Sequence, residues 1–271
     1  MSLNLDSWPL KIAIVVALVA AREITRLITK PPEAGGQNEW VETIDSAAIA
    51  IGLVLCVIQP FLLQAFWIPT GSMENTMPPG DRLVASKLIY RLRDPQRGDI
   101  IVFKAPSAAV SPEEIARGED TFIKRCVGLP GDIIWASHRR YFRRAAGQST
   151  LVPLDEPYVK WSPEAGYADS YDMKIVNGIV YSREYAAPNA PDVWRVNGVP
   201  IADWEQQRIE AAPPEAIPDG CYLMLGDHRN NSKDGHVWGF IHRSAMLGKA
   251  IFVFWPPAKM GLADRLSRGV R

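Results

Sequence analysis

Apolar positions are distributed unevenly along the 271 residues of this chain. The stretch Ala47–Ile68, AAIAIGLVLCVIQPFLLQAFWI, holds twenty-two residues and no charged side chain. That is enough to cross a hydrocarbon core of about 30 Å, so a transmembrane helix is expected over residues 44–68. Gln59, Pro60 and Gln64 interrupt the run, which spanning helices tolerate where neighbouring groups satisfy the backbone. A buried soluble helix is the alternative. An earlier run, Ile12–Ala21, passes into Arg22, Glu23 and Arg26; it is short for a span and suits the membrane interface. Residues 1–43 are therefore assigned to an N-terminal apolar helix and a cytoplasmic linker, PPEAGGQNEWVE at 31–42. Arg22, Arg26 and Lys30 precede the uncharged stretch and no Lys or Arg follows it until Arg82, which favours everything after Ile68 on the outer side.

Beyond residue 69 the pattern shortens to strand-sized pieces: Arg82–Ala85, Asp99–Lys104, Phe122–Leu129, Tyr222–Leu225 and Ala250–Trp255. Four Gly-Asp pairs, at 80–81, 98–99, 131–132 and 226–227, punctuate them as turn signals. The expected fold is mainly β: a catalytic β core in two parts, 69–136 and 219–257, with a C-terminal tail at 258–271. Between the two parts, 137–218 loses its periodicity among prolines and charges and reads as an irregular inserted subdomain.

Charge and cysteine content narrow the functional classes. Thirty Lys plus Arg balance thirty Asp plus Glu, so no global field attracts nucleic acid, and no nucleic-acid partner is expected. The basic cluster HRRYFRR at 138–144 reads as a solvated face or a lipid-headgroup contact. Three cysteines allow one pair at most, Cys126 with Cys221, against the alternative of reduced thiols. The four histidines are scattered, and neither a metal nor a cofactor is expected.

Three segments carry candidate chemistry. Ser72 sits in Ile68-Pro69-Thr70-Gly71-Ser72-Met73, a Pro/Gly-shaped turn directly after the uncharged stretch. Its hydroxyl is inert until a base removes the proton, and no GxSxG elbow or suitably placed histidine supplies one. Lys124 lies in the strand-like run Thr121–Leu129, where alternation puts Phe122, Lys124 and Cys126 on one side. A lysine among apolar neighbours is desolvated, its pKa falls from about 10.4, and the neutral amine becomes a base. A lysine snorkelling from an exposed strand edge is the competing reading. The third segment is Gly226-Asp227-His228-Arg229-Asn230-Asn231-Ser232-Lys233-Asp234-Gly235-His236, a dense polar loop in which Ser232 is placed to orient an amine. Asp227, Arg229 and Asp234 are expected to form a charged network that holds the loop.

Together these segments, with PPGDRLVASKLIY and RGDIIVFKAP between them in the same order, resemble bacterial type I signal peptidases over residues 45–255. These are membrane-anchored Ser/Lys endopeptidases that remove signal peptides from exported preproteins. The resemblance implies Ser72 as nucleophile, Lys124 as general base and Ser232 as the hydroxyl that orients the lysine. It implies an oxyanion hole from the Ser72 backbone N–H and the Thr70 hydroxyl, small-residue pockets lined by Ile68 and Ile123, and loop support from Asp227, Arg229 and Asp234. Signal peptides and the lipid bilayer are then the expected partners of a monomer in the cytoplasmic membrane, with its catalytic domain on the extracytoplasmic side. The chain departs from the family pattern at His228, where asparagine is usual, and at Gly235-His236, where Ser-Arg is common. An arginine partner for Asp234 is thus missing at position 236. Two other readings compete: a self-cleaving repressor-type Ser/Lys protease, and a catalytically inactive membrane-anchored scaffold that binds peptides.

Overall fold

The computed structural model describes residues 8–28, 39–162, 170–185 and 192–266. The chain divides into two units, Met1–Gln64 and Ala65–Arg271. The first holds α1 (Trp8–Ile28) and α2 (Glu39–Leu53), and α2 continues as a π-helical stretch, Val54–Leu62. Arg22 of α1 pairs with Asp45 of α2. The helix expected over 44–68 therefore stops at Leu62, and Leu63–Trp67 forms strand β1. The cause is local. The turn widens until the N–H of Leu63 reaches Ile58 O, Pro60 has no N–H to extend the ladder, and Leu63–Trp67 alternates in exposure as an extended edge does. Among the described residues no helix is long and apolar enough to cross a membrane. Most of the linker expected over 31–42 lies outside the described residues.

Two antiparallel sheets make up most of the second unit. The first takes β1, β2 (Arg82–Ser86), β3 (Ile100–Lys104), β4 (Thr121–Gly128), and, after a long excursion, β12 (Cys221–Leu225), β13 (Ile241–His242) and β14 (Met246–Trp255). Their order is β1-β2-β14-β3-β4-β12-β13, with β15 (Gly261–Leu262) on β14. The run Ile100-Ile101-Val102-Phe103 is buried throughout because β3 is covered on both faces. Ile100 and Val102 join Ile68, Met73, Met77, Leu83 and Val253 on one side; Ile101 and Phe103 join Cys126, Met224, Trp238 and Ile241 on the other.

The excursion holds β5 (Ile133–Ser137), β6 (Arg140–Arg144), β7 (Leu151–Pro153), β8 (Ser170–Val176), β9 (Ile179–Tyr185), β10 (Arg195–Val196) and β11 (Val199–Pro200), a second sheet ordered β11-β10-β9-β8-β5-β6-β7. The described part of 137–218 is thus more regular than its sequence implies. Its strands carry charge internally: Asp172 of β8 takes Arg183 of β9 at 2.8 Å, and Lys174 reaches the carbonyls of Glu210 and Ala212. Such paired polar positions erase the apolar alternation by which a strand is read. HRRYFRR runs through the β5–β6 hairpin, with Arg139, Arg140 and Arg144 exposed.

The sheets meet in one core cluster of Val127, Ile134, Tyr171, Met173, Ile217, Leu223 and Leu225. Gly128 stands against it. A Cβ there would collide with Ile217 and come within 2.8 Å of Ile134 Cδ1 and 2.9 Å of Leu223 Cβ. Gly128→Ala is therefore expected to lower stability by about 1–3 kcal/mol through overpacking, measured as the shift in a urea unfolding midpoint.

Candidate active site

The backbone around Ser72 is fixed from both sides. Ile68 N–H donates to Asp81 O at 3.0 Å and Gly80 N–H to Ile68 O at 2.9 Å, which anchors the chain just before the single 3₁₀ turn Gly71–Met73. Met73 and Met77 then plunge into the core, drawing Ser72 to 6% exposure. The Ser72 carbonyl accepts the His228 N–H at 3.0 Å, so the turn and the polar loop are joined at the serine itself.

Lys124 approaches from β4, where it pairs with Ile101. β4 is an inner strand between β3 and β12, so the snorkelling alternative fails: the side chain is 5% exposed. Its Nζ lies 2.5 Å from Ser72 Oγ and 5.7 Å from the Phe122 ring centroid. Burial lowers the lysine pKa to about 8, against the opposing pull of Asp234 and Asp227. Near that pH a large fraction of the amine is neutral and able to accept the serine proton.

The other expected residues fall around this pair. Thr70 Oγ1 is 3.4 Å from Ser72 Oγ. Ile68 is a core residue at 1% exposure, whereas Ile123 packs beside it half-buried. Ser232 is buried next to the dyad, yet its hydroxyl makes no hydrogen bond among the described residues, so the expected bond to the lysine amine is not made. Gly226 explains the crowding. A Cβ there would strike the Ser232 hydroxyl and sit 2.6 Å from Ser72 O, so only glycine lets the loop pass.

The loop is held differently from the expected internal network. Asp227, Arg229 and Asp234 do not pair with one another: Asp227 and Arg229 pair outside the loop, and Asp234 pairs within it. Asp227 takes a two-pronged contact from Arg125 of β4, at 2.8 and 2.6 Å, and the Thr76 hydroxyl at 2.5 Å. Arg229 is clasped by Glu156 at 2.9 and 2.6 Å and donates to Gly226 O at 3.1 Å. Asp234 accepts Gly226 N–H at 2.7 Å and faces His236 Nδ1 at 2.8 Å. Burial favours the neutral acid, but the charge and hydrogen bond of His236 outweigh it and hold the Asp234 pKa below the usual carboxylate range. Position 236 thus supplies a cation in spite of lacking an arginine. His228, at the other departure, faces Ser162 Oγ at 2.7 Å and Glu74 Oε2 at 3.0 Å. The two loop histidines point to different partners, and among the described residues no group of three or more His, Cys, Asp or Glu is arranged to hold a metal.

Thr76, Arg125, Glu156 and Ser162 were not anticipated as site residues. Arg125 alone left a signal: a strand that buries one face with Lys124 and continues into a second cation requires a buried carboxylate. Cys126 and Cys221 are unbridged thiols, and burial pushes the Cys126 thiol upward, away from reactivity.

Residues 38–255 match the family model described as signal peptidase, peptidase S26. A probable signal peptidase I-2 of Synechocystis is 33% identical over 239 residues, 88% of this chain and 84% of that protein. The signal peptidase I of Pseudomonas fluorescens is 30% identical over 240 residues, 79% of this chain and 73% of that protein. The solved structure of a signal peptidase I from Enterococcus faecalis shares 22% identity, covering 58% of this chain and 97% of that one at a TM-score of 0.33.

A buried ammonium carries a stability cost that can be measured. Because the Lys124 pKa is about 8 in the folded chain, below its ordinary 10.5, the ammonium opposes folding fully below pH 8, and the cost fades as pH rises toward the unfolded value. Lys124→Met is expected to stabilise the protein by up to about 3 kcal/mol at neutral pH, with the gain shrinking near pH 10.5. Denaturant unfolding of both forms across that range checks the sign.

Proposed function

Because the chain belongs to the signal peptidase family, peptidase S26, we propose that this serine endopeptidase removes signal peptides from exported preproteins after Ala-x-Ala-type sites, with Ser72 as nucleophile and Lys124 as general base. The observation that carries the reading is the 2.5 Å approach of a buried lysine amine to a buried serine hydroxyl. An inactive peptide-binding scaffold has no need to bury an amine against that hydroxyl.

In this reading neutral Lys124 takes the Ser72 proton as Oγ attacks the scissile carbonyl carbon. The carbonyl oxygen becomes an oxyanion, received by the Ser72 backbone N–H and the Thr70 hydroxyl, each donor worth about 3 kcal/mol in the transition state. Collapse of the tetrahedral intermediate breaks the C–N bond, and the lysine ammonium protonates the departing amine. Water then attacks the Ser72 ester while Lys124 takes its proton, which frees the signal peptide and restores the serine. In this reading the Ser232 hydroxyl, which makes no hydrogen bond among the described residues, turns to steady the amine during the reaction. Substrate selection for small side chains is assigned to Ile68 and Ile123, which pack in one cluster beside the Ser72 turn. Attachment to the membrane through the uncharged N-terminal segment, with the catalytic unit on the extracytoplasmic side, brings the scissile bond and Ser72 to the same surface and raises their effective concentration.

Cleavage of a preprotein carrying an Ala-x-Ala site is the direct test. Ser72→Ala and Lys124→Ala are each expected to lose roughly a thousandfold or more in kcat. Equal product from the wild type and both variants overturns the assignment. The wild-type rate is expected to climb as pH rises through about 8, where the amine loses its proton.

A further inference from the structure

His236 has an environment that the reaction above does not use. It is 4% exposed and is the second residue of the short helix Gly235–Trp238, which Asp234 caps. Its ring stacks on Tyr171 of β8, centroids 4.2 Å apart and planes within 9°. Nδ1 lies 2.8 Å from Asp234 Oδ1, and Nε2 lies 3.6 Å from Glu184 Oε1 on β9. A neutral imidazole offers one donor and one acceptor, whereas ionised carboxylates only accept. Asp234 is within hydrogen-bond distance of Nδ1, and the Glu184 carboxylate beside Nε2 adds a second negative charge, so the surroundings favour the imidazolium. The remaining groups around it are the Tyr171 hydroxyl, bonded to Tyr141, Arg229 above the Tyr141 ring, and Arg195 of β10 near Glu184.

Asp234 conveys this arrangement to the dyad. Its second oxygen takes the N–H of Gly226, the residue pressed between Ser72 O and Ser232, and its charge acts on Lys124. We propose that His236 is a positioning residue for the Ser72–Lys124 pair: a buried imidazolium that ties the polar loop to the second sheet and offsets the Asp234 charge that otherwise keeps the lysine protonated. The proposal rests on the assignment of Ser72 and Lys124 given above.

A histidine in this place loses its charge in alkali, whereas an arginine keeps it. Burial works against the imidazolium, but Asp234 and Glu184 raise its pKa to about 9. Above that value Asp234 is uncompensated, and Lys124 is pulled back toward the ammonium. The ascending limb is then broadened through about pH 9, because loss of the imidazolium charge lets the amine hold its proton to higher pH, and the rate levels off once both groups are neutral.

The test combines two readouts on the full chain in detergent micelles. Histidine ring signals are followed by NMR against pH, the His236 signal being identified by its absence in His236→Arg. The expected result is an imidazolium at neutral pH that titrates near 9, and a lower midpoint in Glu184→Gln. A ring that is neutral at pH 7 overturns the proposal, whether or not other variants fold. In preprotein cleavage, His236→Gln is expected to move the ascending limb up by about one unit, roughly a tenfold loss at neutral pH. His236→Arg restores that limb and narrows it to a single titration, because arginine keeps its charge throughout the range. A His236→Gln protein that folds as the wild type by circular dichroism and keeps its ascending limb also overturns the proposal. Cleavage by Ser72→Ala, in contrast, overturns the dyad assignment beneath it.

Discussion

A lysine amine held out of water against a serine hydroxyl is the constraint around which this structure is organised. Desolvation favours the neutral amine, but any unpaired carboxylate nearby reverses the effect by stabilising the ammonium. Asp227 and Asp234 both act on Lys124. Each is already committed to a cation of its own, Asp227 to Arg125 and Asp234 to His236. The amine is therefore surrounded by acids without being captured by one, and burial decides its protonation. The pairing also explains why buried Arg125 and His236 are tolerated so close to a buried lysine.

Parts of this arrangement were legible in the sequence and parts were not, for physical reasons. The strand-sized apolar runs around Arg82, Ile100, Phe122, Tyr222 and Ala250 fall where strands stand, because both faces of the first sheet's inner strands are covered. Alternation also placed Lys124 on a face with Phe122 and Cys126, which is where burial finds it. Its serine partner, fifty-two positions away, was reached through motif order rather than periodicity. The turn from helix to strand at Leu63 was hidden, since an uncharged run has the same composition in either state.

The loop shows most clearly where local reasoning ends. Asp227, Arg229 and Asp234 sit within eight positions of one another, so an internal network was the natural expectation. Instead Asp227 pairs with Arg125 of β4 and Arg229 with Glu156, while Asp234 pairs with His236 two residues further along the loop. Absence of arginine at 236 looked like lost support because the residue type was weighed without its surroundings. Two carboxylates and a tyrosine ring make histidine an adequate cation there. The approach of Glu184 cannot be inferred without knowing that β9 stands beside the loop.

The chain between β7 and β8 gives the second sheet its connection to the reaction. Asn75 donates to Tyr158 O, Lys160 N–H donates to Asp227 O, and Arg229 N–H donates to Lys160 O, so residues 158–160 contact both the Ser72 turn and the loop. Ser162 and Asn230 exchange two hydrogen bonds, and Ser162 meets the His228 ring. Further along the loop, β8 and β9 hold His236. Proton transfer over 2.5 Å tolerates displacements of only about 0.5 Å. The loop is fastened at Glu156 and Ser162 to the chain between β7 and β8, and at Tyr171 and Glu184 to the second sheet. What the inserted segment contributes is therefore rigidity at the point where a short distance decides the chemistry.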